Sequence, residues 1–177
     1  MQLKDKNFEP FLDSSTILAR VAELAQRMNT DYQGKTPVVI VVLNGAFAFA
    51  SDLVRLFSFE MEICFVKFVS YEGLTSSGMV DEVIGLDKNL RGRDVLVIED
   101  IVDTGLTMSE IVRVLKEHHP ASFAIATLLY KPACVKKQVA LKYIGFEIDP
   151  QFVVGYGLDY DGLGRNWPGI YKVIGDG

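Results

Sequence analysis

"DVLVIEDIVDTGLTMSEI", residues 94–111, decides how the rest of the chain is read. It begins as an apolar, β-branched strand. Glu99, Asp100 and Asp103 follow within five positions, and Thr104-Gly105-Leu106-Thr107 comes directly after them. Three carboxylates so close repel one another unless a cation or hydroxyl donors compensate. A single aspartate here would be read as complementing the dipole of the following helix. Glu-Asp-x-x-Asp on the end of a buried strand is more than that account needs. The next four residues suit an anion. Backbone N–H groups made accessible by Gly105, together with the Thr104 and Thr107 hydroxyls, form a cradle for phosphate at a helix N-terminus. Thr107 is also a capable cap for that helix.

Working outward, strands alternate with helices. Residues 13–28 read as an amphipathic helix, with Ile17, Leu18, Val21, Leu24, Ala25 and Met28 at helical spacing and Asp13, Ser14 and Ser15 as possible N-caps. "PVVIVVLNG" (37–45) is a β-branched run of the kind buried on both faces of a sheet. A helix over 46–57, a strand over 60–70, a polar stretch over 71–78 and a short strand over 79–85 follow. The strand at 93–100 leads to a helix over 107–120 that Pro120 ends, and then to a strand over 121–130. Segments 141–148 and 151–160 read as short strands or strand ends, and 161–177 as irregular. The alternation predicts an α/β fold: a mostly parallel, twisted sheet flanked by helices. We expect a single domain over 1–177. Its core spans about 35–130, and a small hood is formed by 131–177 with the N-terminal segment.

Composition narrows the function. The chain has 177 residues, 49% of them apolar, and a net charge of -5. It is long and apolar enough for a real core. Its acidity speaks against nonspecific nucleic-acid or anionic-membrane binding, which wants a basic field. Cys64 and Cys134 have no zinc-ligand spacing, and the longest apolar run, 38–43, is too short to span a bilayer. The expectation is a soluble cytoplasmic protein.

Ligands of an open parallel sheet bind outside the carboxyl ends of its strands. Three loops fall there: Leu43-Asn44-Gly45, 99–107, and Lys131-Pro132. The 103–107 turn is neither a Walker A loop nor GxGxxG, which disfavours a nucleoside triphosphate or a dinucleotide. The ligand should offer vicinal hydroxyls to Glu99 and Asp100, and a phosphate one sugar away. Ribose 5-phosphate does both.

At this point "VLVIEDIVDTGLTM" resembles the phosphoribosyl-pyrophosphate motif of type I phosphoribosyltransferases. With "VVLNGAFAF", "VKFVSYEG", "LLYKP" and "GFEIDPQFVVGYGLDY", the chain over about 38–173 is similar to the hypoxanthine-guanine branch. The resemblance implies transfer of ribose 5-phosphate from phosphoribosyl pyrophosphate to N9 of hypoxanthine or guanine, giving IMP or GMP and pyrophosphate. It implies roles residue by residue. Glu99 and Asp100 would hold the ribose hydroxyls and one Mg²⁺, and Asp103 would be the acid/base near purine N7. Thr104, Gly105, Leu106 and Thr107 would cradle the 5-phosphate. Leu43, Asn44 and Gly45 would form the pyrophosphate loop, with Arg165 reaching the same group. Ser70 and Tyr71 would begin a lid. Lys131 would donate to purine O6, Phe152 would stack on the base, and Val153 would meet the ring edge through its backbone. Asp159 would bind a second Mg²⁺, completing two ions in the closed complex, and would lie beside the purine. Without the resemblance, Lys131 and Arg165 read as solvated surface cations, and Phe152 and Val153 as strand core. The resemblance further implies a homodimer or homotetramer. The alternatives are a phosphoribosyl-pyrophosphate-sensing regulator of the same fold, or transfer to another 6-oxopurine such as xanthine.

Overall fold

A computed structural model describes residues 1–70, 80–84, 86 and 88–175. In chain order these form β1 (Gln2–Leu3), β2 (Lys6–Leu12), α1 (Ser14–Asp31), β3 (Val38–Val42), α2 (Phe47–Val54), β4 (Glu62–Ser70) and β5 (Val80–Ile84). β6 (Asp94–Val102), α3 (Leu106–Glu117), β7 (Ser122–Tyr130), β8 (Tyr143–Glu147), β9 (Val153–Val154) and β10 (Ile170–Val173) complete the order. Ten strands make two sheets. The larger has six strands in the order β5-β4-β3-β6-β7-β8, and the smaller has four in the order β1-β2-β10-β9. In the larger sheet β4, β3, β6, β7 and β8 run parallel, and β5 pairs antiparallel with β4.

The continuous apolar strands follow from helices on both faces. In β3, Val39 and Val41 turn toward the side packed by α1 and α2, with Ile17, Val21, Leu24, Phe49 and Leu53. Val38, Ile40 and Val42 turn to the other side, against Met108, Ile111 and Leu115 of α3. Period-two alternation thus fills both faces, so no position of the strand can be polar. Asp13 caps α1 by accepting from the Thr16 N–H at 2.8 Å.

Several boundaries differ from the sequence-based expectation. Leu18, expected on the buried face of α1, is 47% exposed. Helix α3 begins at Leu106 with Gly105 as its cap residue, so Thr107 lies inside the helix. The tail is not irregular throughout: β10 pairs antiparallel with both β2 and β9. Neither β1 nor β2 was expected as a strand. Among the described residues no helix is long and apolar enough to cross a membrane. Cys64 and Cys134 are not joined in a disulfide.

Candidate functional site

The carboxyl ends of β3, β6 and β7 come together because the three strands are adjacent in the sheet. Register does the positioning. The Leu43 N–H donates to Val66 O at 2.8 Å, and the Lys131 N–H donates to Val102 O at 3.0 Å. These bonds hold the loop after β3 and the start of the segment after β7 against their neighbours. The Leu43–Asn44 peptide is cis.

Glu99 and Asp100 sit at the mouth of β6. Glu99 Oε2 is buried and is the one such side-chain polar atom without a hydrogen-bond partner among the described residues. Residue Glu99 lines a cavity of about 140 Å³ with Ile101, Asp103, Thr104, Gly105 and Thr107. Burial, then the negative charge of Asp100 and a hydrogen bond with it, holds the Glu99 carboxyl well above the usual range. Burial also raises Asp100, against the Ile101 N–H that donates to its Oδ1 at 2.8 Å. A buried, unpartnered carboxyl oxygen on a residue that lines a cavity calls for a donor or cation from a ligand.

Space around this pair is set by glycines. A methyl group on Gly45 would fall 1.5 Å from Asp100 Oδ2. Gly157, at φ 103°, brings its Cα so close to Gly45 that an added Cβ would stand 2.0 Å from Gly45 O. The 155–165 turn therefore meets the loop after β3 backbone to backbone, and that loop in turn meets the Asp100 side chain of β6. Gly157 was not singled out in the sequence; the Gly155-Tyr156-Gly157 spacing was the available signal.

The phosphate-type cradle is braced from outside. Gly105 adopts φ 76°, and a Cβ there would lie 2.2 Å from Lys137 O. Thr104 O accepts from the N–H groups of Lys136 at 2.9 Å and Lys137 at 3.1 Å. Thr104 Oγ1 accepts from the Leu106 N–H at 3.4 Å. Neither Lys136 nor Lys137 was foreseen, because a backbone brace has no side-chain signature.

Lys131 is only 8% exposed, and its Nζ meets Asp103 Oδ2 at 2.7 Å. The surface-lysine reading is thereby removed. Asp159 pairs with Arg165 at 2.6 Å, and Arg165 also donates to Gly157 O at 2.7 Å. The structure thus brings Asp159 and Arg165 to each other. Phe152 is 41% exposed, which removes the strand-core reading for it, whereas the Val153 side chain is buried. Val153 pairs with Lys172 on β10, and among the described residues β9 is the last strand of its sheet, with no strand paired on its other backbone edge. Ser70 ends β4; Tyr71 lies outside the described residues.

Fold and site define an α/β protein with an acidic strand end and a glycine-containing turn that opens a helix at the carboxyl edge of its sheet. The family model of the phosphoribosyl transferase domain matches residues 9–161. A hypoxanthine-guanine phosphoribosyltransferase of Mycobacterium bovis is 43% identical over 157 residues, covering 85% of this chain and 78% of that one. The hypoxanthine phosphoribosyltransferase of Escherichia coli is 39% identical over 169 residues, covering 94% and 95%. The crystal structure of a hypoxanthine-guanine phosphoribosyltransferase from Bacillus anthracis superposes with a TM-score of 0.90 at 35% identity, covering 96% and 99%. The chain belongs to the phosphoribosyltransferase family.

Proposed function

We propose that the protein is a purine-salvage enzyme. It transfers ribose 5-phosphate from phosphoribosyl pyrophosphate to N9 of hypoxanthine or guanine, and it releases pyrophosphate with IMP or GMP. The observation that carries this reading is the Lys131–Asp103 pair, 2.7 Å apart, whose Asp103 lines the same cavity as Glu99, Thr104, Gly105 and Thr107. A 6-oxopurine carries O6 and N7 side by side on one edge. A lysine donor and a carboxylate side by side match that edge: Lys131 donates to O6, and Asp103 exchanges a proton at N7. Adenine puts an amino group where Lys131 needs an acceptor.

Position supports the remaining proposed roles. Thr104, Gly105, Leu106 and Thr107 hold the 5-phosphate at the N-terminus of α3, where backbone N–H groups and the dipole favour an anion. Glu99 and Asp100 take the ribose 2- and 3-hydroxyls. Phe152 presents an exposed ring to the base, and the open edge of β9 at Val153 presents backbone groups to the ring edge. Leu43, Asn44 and Gly45 approach the pyrophosphate through their backbone, and Arg165 turns to it once it leaves Asp159. The lid role of Ser70 and Tyr71 is to exclude water, a competing nucleophile at the ribose C1.

The donor set fits Mg²⁺. Among the described residues no three His, Cys, Asp or Glu side chains form a ready cage. Mg²⁺ characteristically takes one or two carboxylates and completes its shell with substrate oxygens and water. Glu99 and Asp100 would hold one ion and Asp159 a second. When bound, the metal neutralises and orients the pyrophosphate leaving group.

We also propose a cytoplasmic homodimer or homotetramer. Its support is apolar surface: exposed Leu18 and Leu56 line one shallow hollow with Asp52 and Arg55. Light scattering reads the assembly directly.

The test of the activity is a panel of hypoxanthine, guanine, xanthine and adenine with phosphoribosyl pyrophosphate and Mg²⁺. Turnover of hypoxanthine or guanine, with none of adenine, is expected. No turnover of any base would favour the phosphoribosyl-pyrophosphate-sensing regulator.

A further inference from the structure

The hairpin of β1 and β2 supplies none of the groups assigned above, yet it is built around one buried ring. Phe8 is 1% exposed. Its ring centroid stands 6.3 Å from Phe152, 6.3 Å from Tyr160 and 6.2 Å from Trp167. Phe152 and Tyr160 meet edge to face at 5.6 Å. The backbone repeats the contact: Phe8 is in register with Val173 of β10, and the Val173 N–H donates to Phe152 O at 3.0 Å. Two polar ties fix the hairpin to the turn carrying Tyr160. The Tyr160 hydroxyl donates to Asp5 Oδ1 at 2.6 Å, and Lys4 pairs with Asp161.

A ring left 41% exposed is free to turn unless neighbours restrain it. Tyr160, edge to face, and Phe8, tilted against the ring at 49°, fix the plane of Phe152, so that its free face is oriented before a base arrives. Less freedom is then lost on stacking. Resting on the reading that Phe152 stacks on the purine, we infer that Tyr160 and Phe8 are positioning residues for the base. They act through Phe152, and they make the N-terminal hairpin part of purine recognition.

The test is steady-state kinetics, with KM measured separately for hypoxanthine and for phosphoribosyl pyrophosphate and the thermal midpoint recorded alongside. Tyr160→Leu is expected to raise the hypoxanthine KM about 2–10-fold and leave the phosphoribosyl-pyrophosphate KM unchanged. Tyr160→Phe keeps the ring and is expected to stay near the parent. In a Phe152→Ala background, Tyr160→Leu should add nothing. Phe8→Leu keeps an apolar side chain in the same place and is expected to show the same split between the two KM values, so it serves if Tyr160→Leu does not fold. If Phe152→Ala raises the hypoxanthine KM and neither Tyr160→Leu nor Phe8→Leu does, the positioning role is overturned and the stacking role stands. If Phe152→Ala leaves that KM unmoved, the stacking role falls and takes the inference with it. Equal rises in both KM values reduce Tyr160 and Phe8 to a folding role and overturn the inference.

Discussion

Asp100 on β6 and Gly45 in the loop after β3 meet because the two strands are neighbours, and their contact leaves no room for a methyl group. A Cβ on Gly45 would overlap the Asp100 carboxylate at 1.5 Å. Backbone cannot retreat, so in Gly45→Ala the carboxylate must move. A displacement of that size at a reacting centre is expected to lower kcat/KM for phosphoribosyl pyrophosphate by about 10–100-fold. Kinetics within twofold of the parent would show that Asp100 is not needed where it stands. At this scale the sequence was informative wherever chemistry was unusual for its setting. Glu99, Asp100 and Asp103 were legible because carboxylates seldom end a buried strand. The Lys131–Asp103 pair was not, since 28 residues separate its members and only the β6–β7 register brings them together. Phe152 was ambiguous for a similar reason: an apolar residue before Val-Val reads as core until its exposure is seen.

Among the elements, α3 and the turn before it form a constrained unit. Gly105 reaches φ 76° and abuts Lys137 O, so Gly105→Ala meets two penalties at once. The left-handed conformation alone costs an L residue about 1–2 kcal/mol. A lower thermal midpoint together with a higher phosphoribosyl-pyrophosphate KM is expected, measured by calorimetry and steady-state assay. An unchanged midpoint would contradict the constraint. Thr107 was read as a possible cap because hydroxyls cap helices well, but the turn uses Gly105 and no side-chain cap. The long buried strands and α1 were legible from periodicity. In the small sheet β9 falls within the 151–160 segment read as short strands or strand ends, whereas β1, β2 and β10 were not legible. β2 contains Pro10, β1 has two residues, and β10 lies among glycines. Such strands exist through their cross-strand partners, which a local pattern does not record.

For the molecule as a whole, stability depends on ties between distant elements. Asp31 ends α1, where a negative charge opposes the helix dipole. Lys142 at 2.8 Å and the Tyr143 hydroxyl at 2.6 Å compensate it. The hydrogen bond from Lys142, then that from Tyr143, lowers the Asp31 carboxyl below its ordinary 3.8. A carboxyl lowered on folding contributes stability above its unfolded value and loses it as the pH falls through the folded one. Both partners are partly solvated, so Asp31→Asn is expected to cost under about 1 kcal/mol at neutral pH. The deficit should shrink as the pH drops below about 4. Thermal melts across that range check it, and a deficit independent of pH would contradict it. The role proposed for Asp103 is to move the proton at the purine in phosphoribosyl transfer. Steady-state kinetics of Asp103→Asn with hypoxanthine test it most directly. The expected result is a kcat lower by about 10²–10⁴-fold with the phosphoribosyl-pyrophosphate KM retained; an unchanged kcat would contradict it.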